Sequence, residues 1–319
     1  MTNEHSNAAP GTLGKLGDPV VLGLSAGFIV LFVAMSIFDI SMVSDGIGAG
    51  FAWTASTLGS YFQLLLMATF FIAIGVAMSP AAGALVGNRS YPEFTTFRWL
   101  SMIMCTLLAG GGVFFAAGEP IYHFVVTPPV FETEAGTAAA VAPALAQSFM
   151  HWGFLAWAIL GSLTAVVLAH AHYDNGHPLR PRTLLYPVFG KRVMTGWFGG
   201  IVDACCVIAV VAGTVGPIGF LATQVSYGFE ELFGIPDSYG TQLAILVALG
   251  ALYVTSAVTG IHKGIQILSR FNVILALIIA AVIFVFGPTL FLTNTYTQSF
   301  GEYINSFFAM GTVTSETAP

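Results

Sequence analysis

The chain has 319 residues, 56% of them apolar and 8% charged, with a formal net charge of −6, and its mean hydropathy is +0.85. A soluble domain carries about 25% charged residues, so a soluble enzyme and a nucleic-acid binder are both excluded. Cys105, Cys205 and Cys206 all fall within apolar stretches, which implies no disulfide framework.

Seven apolar stretches follow one another at roughly 20–38, 58–79, 99–124, 141–170, 199–229, 241–260 and 270–292. Each supplies the about 20 residues that a hydrocarbon core of about 30 Å requires. No water satisfies the backbone there, so helices are expected, and the alternating pattern of a barrel is not visible. The predicted fold class is an all-α polytopic membrane protein with seven transmembrane helices. Residues 1–19 read as a cytoplasmic arm, 20–292 as the transmembrane domain and 293–319 as an external tail. The first span reads as a retained helix rather than a cleaved signal. With Lys15 placed inside, all nine Lys and Arg fall in the N-terminal arm or the even-numbered connections. The odd-numbered connections and the tail carry acids: Asp45, Glu132, Glu134, Glu230, Glu231, Asp237, Glu302 and Glu316. This positive-inside bias predicts a multi-pass membrane protein, N-terminus cytoplasmic and C-terminus external.

Span one ends near Asp39, and a Gly-rich external turn is expected at Asp45 to Gly50. Span three contains Ala109-Gly110-Gly111-Gly112 at mid-depth, where each glycine costs about 1 kcal/mol relative to Ala. Span five contains Gly213-Thr214, Gly216-Pro217 and Gly219. Two readings stand side by side for these stretches. One is a discontinuous helix lining a cavity for a small solute or ion; the other is close helix packing through small residues. Span seven closes at Gly287-Pro288-Thr289, and Phe300, Phe307 and Phe308 are candidate interfacial anchors in the polar tail.

Glu119 and Asp203 lie toward span ends and Asp39 at an interface, where snorkelling or helix capping accounts for them. His151 lies about ten residues into span four and reads as a hydrogen-bonded structural histidine rather than a proton relay. There is no nucleophile beside a base, no phosphate loop and no Cys/His spacing for zinc, so the chain is read as no enzyme. Trp152 and Trp157 are five residues apart and away from both interfaces. Indole faces attract quaternary ammonium ions. A primary amine would want a carboxylate instead, and none is expected at that depth. The pattern therefore favours a methylated-onium ligand over an amine, with core packing as the competing reading.

Several segments resemble the betaine/choline/carnitine transporter family. They are Pro92-Glu93-Phe94, Gly118-Glu119-Pro120 with Tyr122-His123-Phe124, His151-Trp152-Gly153, Ala156-Trp157-Ala158-Ile159, Leu185-Tyr186-Pro187 and Gly190. Val202-Asp203, Gly213-Thr214, Lys263-Gly264-Ile265, Leu268-Ser269 and Gly287-Pro288-Thr289 continue the series in family order. The resemblance implies a sodium-coupled secondary transporter of quaternary-ammonium compounds such as glycine betaine, choline or carnitine, with a role in osmoprotection. It implies a LeuT-like inverted-repeat fold of which this chain holds the first two helices and one five-helix repeat. It implies that Trp152 and Trp157 belong to the substrate box, that Ala109, Gly110 and Gly111 of an unwound third span contact the substrate, and that the backbone from Cys105 to Leu108 and the Thr214 hydroxyl bind the coupling sodium ion. No other cofactor is implied. The family's alternating glycines fall here at Leu107, Ala109 and Gly111, an expected aromatic at Leu160, and a hydroxyl partner of Thr214 at Val210. The family's eighth span would follow Pro319. The chain is accordingly expected to be either a truncated product or one half of a split transporter whose other repeat a second chain supplies, with no coupled transport by this chain alone; the resemblance also implies a homotrimeric assembly. The alternative reading is a seven-helix receptor or sensor for a small cation. A membrane enzyme would require His or acids clustered at one interface, and the sequence displays no such cluster.

Overall fold

The structure, a computed structural model, describes residues 18–87, 91–107, 113–161, 163–260 and 264–314. Among these residues every regular element is helical: α1 (Pro19–Phe38), α2 (Ile40–Met78), α3 (Thr96–Leu107), α4 (Val113–Val125), α5 (Val141–Trp152), α6 (Phe154–Gly161), α7 (Leu163–Ala169), the short α8 (Tyr186–Phe189) and α9 (Lys191–Thr195), α10 (Trp197–Phe233), α11 (Tyr239–Thr259), α12 (Gln266–Phe286), α13 (Thr289–Asn305) and α14 (Phe307–Thr312). Six stretches among the described residues are long and apolar enough to cross a membrane: α1, α2, Ala138–Asp174, α10, α11 and α12. The third predicted span corresponds to α3 and α4, which flank residues 108–112. Leu108, Ala109, Gly110 and Gly111, and with them the expected break in span three, lie outside the described residues.

Local chemistry sets the helix ends. The Asp18 carboxylate accepts from Val20 N at 3.0 Å, and Pro19 opens α1, where its missing N–H costs nothing. Asp39 is extended, and its Oδ1 accepts from Ser41 N and Met42 N, each at 3.0 Å. It thereby caps α2, as the sequence suggested. The Gly-rich turn expected at residues 45–50 is overturned: Gly46, Gly48 and Gly50 lie inside α2, which runs 39 residues. At 1.5 Å per residue that is about 58 Å, far more than a hydrocarbon core. The expected break in span five is also overturned, because α10 is one helix of 37 residues with Pro217 inside it. Nor do its glycines mediate close packing; a Cβ on Gly213, Gly216 or Gly219 would meet nothing within 4 Å. The common cause is that a helix satisfies nearly all backbone groups internally, and in hydrocarbon that outweighs glycine's entropic cost, even though Pro217 leaves the Gly213 carbonyl without its intrahelical donor.

The last predicted span ends early, at Phe286. The following segment, read as a polar tail, folds as α13 and α14. Phe307 is buried beside Met67, Met150, Leu155 and Tyr303 and so is not an interfacial anchor, whereas Phe308 is exposed.

The chain divides into two compact units, one holding 18–57, 86–87 and 164–214, the other 58–85, 91–163 and 215–314. In the first, Arg182 lies between Asp203 and Asp18, 2.7 Å from each carboxylate. Asp203 is thus half of a buried ion pair, not a snorkelling or capping acid. Gly200 lets α10 meet α1, since a Cβ there would lie 2.8 Å from Val20 Cγ1. In the second unit α13 and α4 pack along α5, and α12 packs along α3. Its core joins Met67, Ala146, Met150, Leu155, Tyr303, Phe307 and Met310, and Gln63 Nε2 donates to the Val313 carbonyl.

Candidate functional site

The fourth predicted span carries a break that the sequence reading did not place there. α5 stops at Trp152, Gly153 adopts φ −95°, ψ −133°, and α6 begins at Phe154. In a continuous helix Phe154 N–H would bond the carbonyl four residues back. Here it donates to the Tyr303 hydroxyl of α13 at 3.1 Å. A Cβ at Gly153 would lie 2.2 Å from the Phe149 carbonyl oxygen and 2.9 Å from Tyr303 Oη, so the joint requires glycine. On its far side Trp157 N–H returns to the Gly153 carbonyl at 3.2 Å.

Trp152, the last residue before the joint, reaches toward α4. Its indole N–H donates to Glu119 Oε2 at 2.5 Å, and its ring centroid lies 6.1 Å from that of Phe115, tilted by 32°. The expectation that no carboxylate stands near the tryptophans is therefore overturned for Trp152. Glu119 is only 11% exposed and is fully engaged. Its Oε1 accepts from His151 Nδ1 and lies 3.5 Å from His123 Nε2. The Gln147 amide meets His151 Nε2 at 2.9 Å. Both ring nitrogens of His151 are thereby engaged, Nδ1 by Glu119 and Nε2 by Gln147. His151 is the hydrogen-bonded histidine that the sequence reading favoured. Acids and histidines do cluster, however: donor atoms of Glu119, His123 and His151 all lie within 4.8 Å of one another, a set that could hold a metal ion. The cluster escaped the sequence reading because α5 supplies its third member.

This arrangement has a chemical consequence. An indole held by its N–H edge keeps one orientation. A carboxylate already accepting from an indole and an imidazole is poorly placed to neutralise a primary amine as well.

Each of the other predicted site residues that the structure describes sits on its own element. Trp157 is half-buried on α6, and no ring contact joins it to Trp152 among the described residues. Cys105 Sγ donates to the Ser269 carbonyl at 3.3 Å, tying α3 to α12. Thr214 is exposed on α10 and its hydroxyl donates to Val210 O at 2.6 Å.

The family model for betaine/carnitine/choline family transporters matches residues 20–319. The chain belongs to this family. Within the betaine/carnitine/choline transporters, glycine betaine transporter 2 of Vibrio parahaemolyticus is 47% identical over 303 residues, which cover 95% of this chain and 56% of that protein. The high-affinity choline transport protein of Escherichia coli K12 is 34% identical, over 92% of this chain and 43% of that protein. Glycine betaine transporter OpuD of Bacillus subtilis is 33% identical, over 81% of this chain and 50% of that protein. The chain thus spans about half the length of the curated relatives it matches. Nothing in this family membership favours the receptor reading.

Proposed function

We propose that this chain forms part of a secondary transporter for small quaternary-ammonium compounds, glycine betaine or choline foremost, and that Trp152 and Trp157 contribute its cation-binding rings. Membership of the family supports the transport reading. The observation that carries the substrate class is the indole of Trp152, fixed by Glu119 beside the Gly153 joint. A permanent onium ion offers no hydrogen-bond donor, so it gains most from aromatic faces that replace its hydration.

The finer features of the reading follow the same course. α3 and α4 together form one span around residues 108–112, making seven, in a LeuT-like repeat with two further helices before it. Ala109, Gly110 and Gly111 contact the substrate. A sodium ion couples transport through the backbone at Cys105 and Leu108 and through Thr214, whose oxygen keeps lone pairs free after its proton goes to Val210 O. The N-terminus is cytoplasmic, the C-terminus external, and the assembly trimeric.

Binding of radiolabelled glycine betaine and choline to the purified chain tests the reading. Trp152→Leu removes a desolvated cation–π contact worth about 2 kcal/mol, so affinity falls about 30-fold; Trp152→Phe falls less. Equal affinity of wild type and Trp152→Leu rejects the assignment.

A further inference from the structure

Glu119 and His123 stand four residues apart and therefore on one face of α4. α5 brings His151 to the same place. Glu119 Oε1 is 3.5 Å from His123 Nε2, and the two imidazole centroids are 5.4 Å apart, inclined at 61°. His123 Nε2 is buried and makes no well-formed hydrogen bond, with Glu119 Oε1 at 3.5 Å, although buried polar atoms nearly always find a close partner. We propose that Glu119, His123 and His151 form a binding site for a divalent transition-metal ion, with Zn2+ the best match.

The donor set decides the ion. Two imidazole nitrogens and one carboxylate oxygen suit a borderline ion such as Zn2+, whereas Na+, Mg2+ and Ca2+ want oxygens. Three protein ligands with an open fourth position is an established zinc arrangement. Zinc–ligand bonds of about 2.0–2.2 Å at tetrahedral angles hold donors about 3.3–3.5 Å apart. His123 Nε2 and Glu119 Oε1 already stand at that spacing. The His151–Glu119 contact must open from hydrogen-bond length, with the ion replacing the proton between them. Gln147 can support that change. Turned end for end, its amide presents oxygen instead of nitrogen to His151 Nε2, which then carries the ring proton and leaves the Nδ1 lone pair for the metal. Glu119 Oε2 stays with the Trp152 indole throughout. A cavity of about 460 Å3 lined by Phe115, Gly118, Glu119, Tyr122, His123 and His151 has room for a water as fourth ligand.

The purified full chain in detergent is titrated with Co2+ and then Zn2+. The expected result is the intense visible absorption of tetrahedral Co2+, saturating at one equivalent per chain and abolished by Zn2+ but not by Na+ or Mg2+. Zn2+ also changes tryptophan emission, because Trp152 shares the ligand carboxylate. His123→Gln and His151→Gln each lower Zn2+ affinity tenfold or more, and Gln147→Ala lowers it about tenfold. A wild-type chain that gives no tetrahedral Co2+ spectrum overturns the proposal, whatever the variants do. Undiminished Zn2+ binding in a folded His123→Gln/His151→Gln double variant overturns it equally. No onium ligand takes part, so failure of the substrate reading and failure of this one are separately observed.

Discussion

Three acceptors meet the guanidinium of Arg182: Asp203 Oδ2 at 2.7 Å, Asp18 Oδ2 at 2.7 Å and the Met194 carbonyl at 3.3 Å. Arg182 and Asp203 are 3% and 7% exposed. Removing one partner of such a pair leaves a buried charge unanswered and costs about 3–5 kcal/mol. Arg182→Met is therefore expected to lower the thermal unfolding midpoint in detergent markedly, and an unchanged midpoint refutes the pair's structural role. The Arg182 hydrogen bond, with help from the Val20 and Val21 amides and against some burial, holds Asp18 below its ordinary value of 3.8. A carboxylate with a depressed folded-state pKa contributes stability fully above 3.8, and loses it as pH falls through the lower folded value. Asp18→Asn should thus flatten the stability profile below about pH 4 and leave the slope above pH 5 unaltered. Legibility at this scale was uneven. Trp152 stood out because a tryptophan away from both interfaces is uncommon. Glu119 was noted as an acid toward a span end, but its pairing with Trp152 was not legible, because the two lie 33 residues apart and no local pattern links them. Arg182 and Asp203, 21 residues apart, were missed for the same reason.

Two glycines separate the sites where a helix must break from those where it need not. Gly153 has the Phe149 carbonyl oxygen 2.2 Å from where a Cβ would go, and Gly216 has nothing within 4 Å. Gly153→Ala is expected to disrupt the α5–α6 joint and reduce onium binding at least tenfold. Gly216→Ala should leave α10 intact and raise stability by up to about 1 kcal/mol. Comparable effects of the two substitutions would refute the distinction. Tyr303→Phe strands the Phe154 N–H in apolar surroundings at a cost of about 1–3 kcal/mol, read as a lowered unfolding midpoint. The sequence reading looked for breaks where glycines cluster, at Gly213, Gly216 and Gly219, and missed the single Gly153. Cluster density is a poor guide because the deciding factor is whether another element offers the freed amide a partner. For Phe154 that partner is a hydroxyl 149 residues away.

At the scale of the whole molecule, hydropathy was the readable signal. α1, α10 and α11 coincide with predicted spans to within about four residues, while α12 is shifted toward the N-terminus of its predicted span. α13 was not read as a helix because its polar residues, Thr293, Asn294, Thr297, Gln298 and Glu302 among them, dilute the apolar ones that pack on α5. The basic residues make a separate prediction. In a variant without native cysteines, a cysteine at position 134 should react with an impermeant maleimide in intact cells. One at position 180 should react only after the membrane is opened. The reverse pattern overturns the orientation. The polar α13 also has mechanical leverage. Its phenol is the clasp that keeps two half-helices hinged next to a tryptophan, so any shift of this rod is felt first at the Trp152 indole, and an agent that grips α13 would re-aim that ring from a distance.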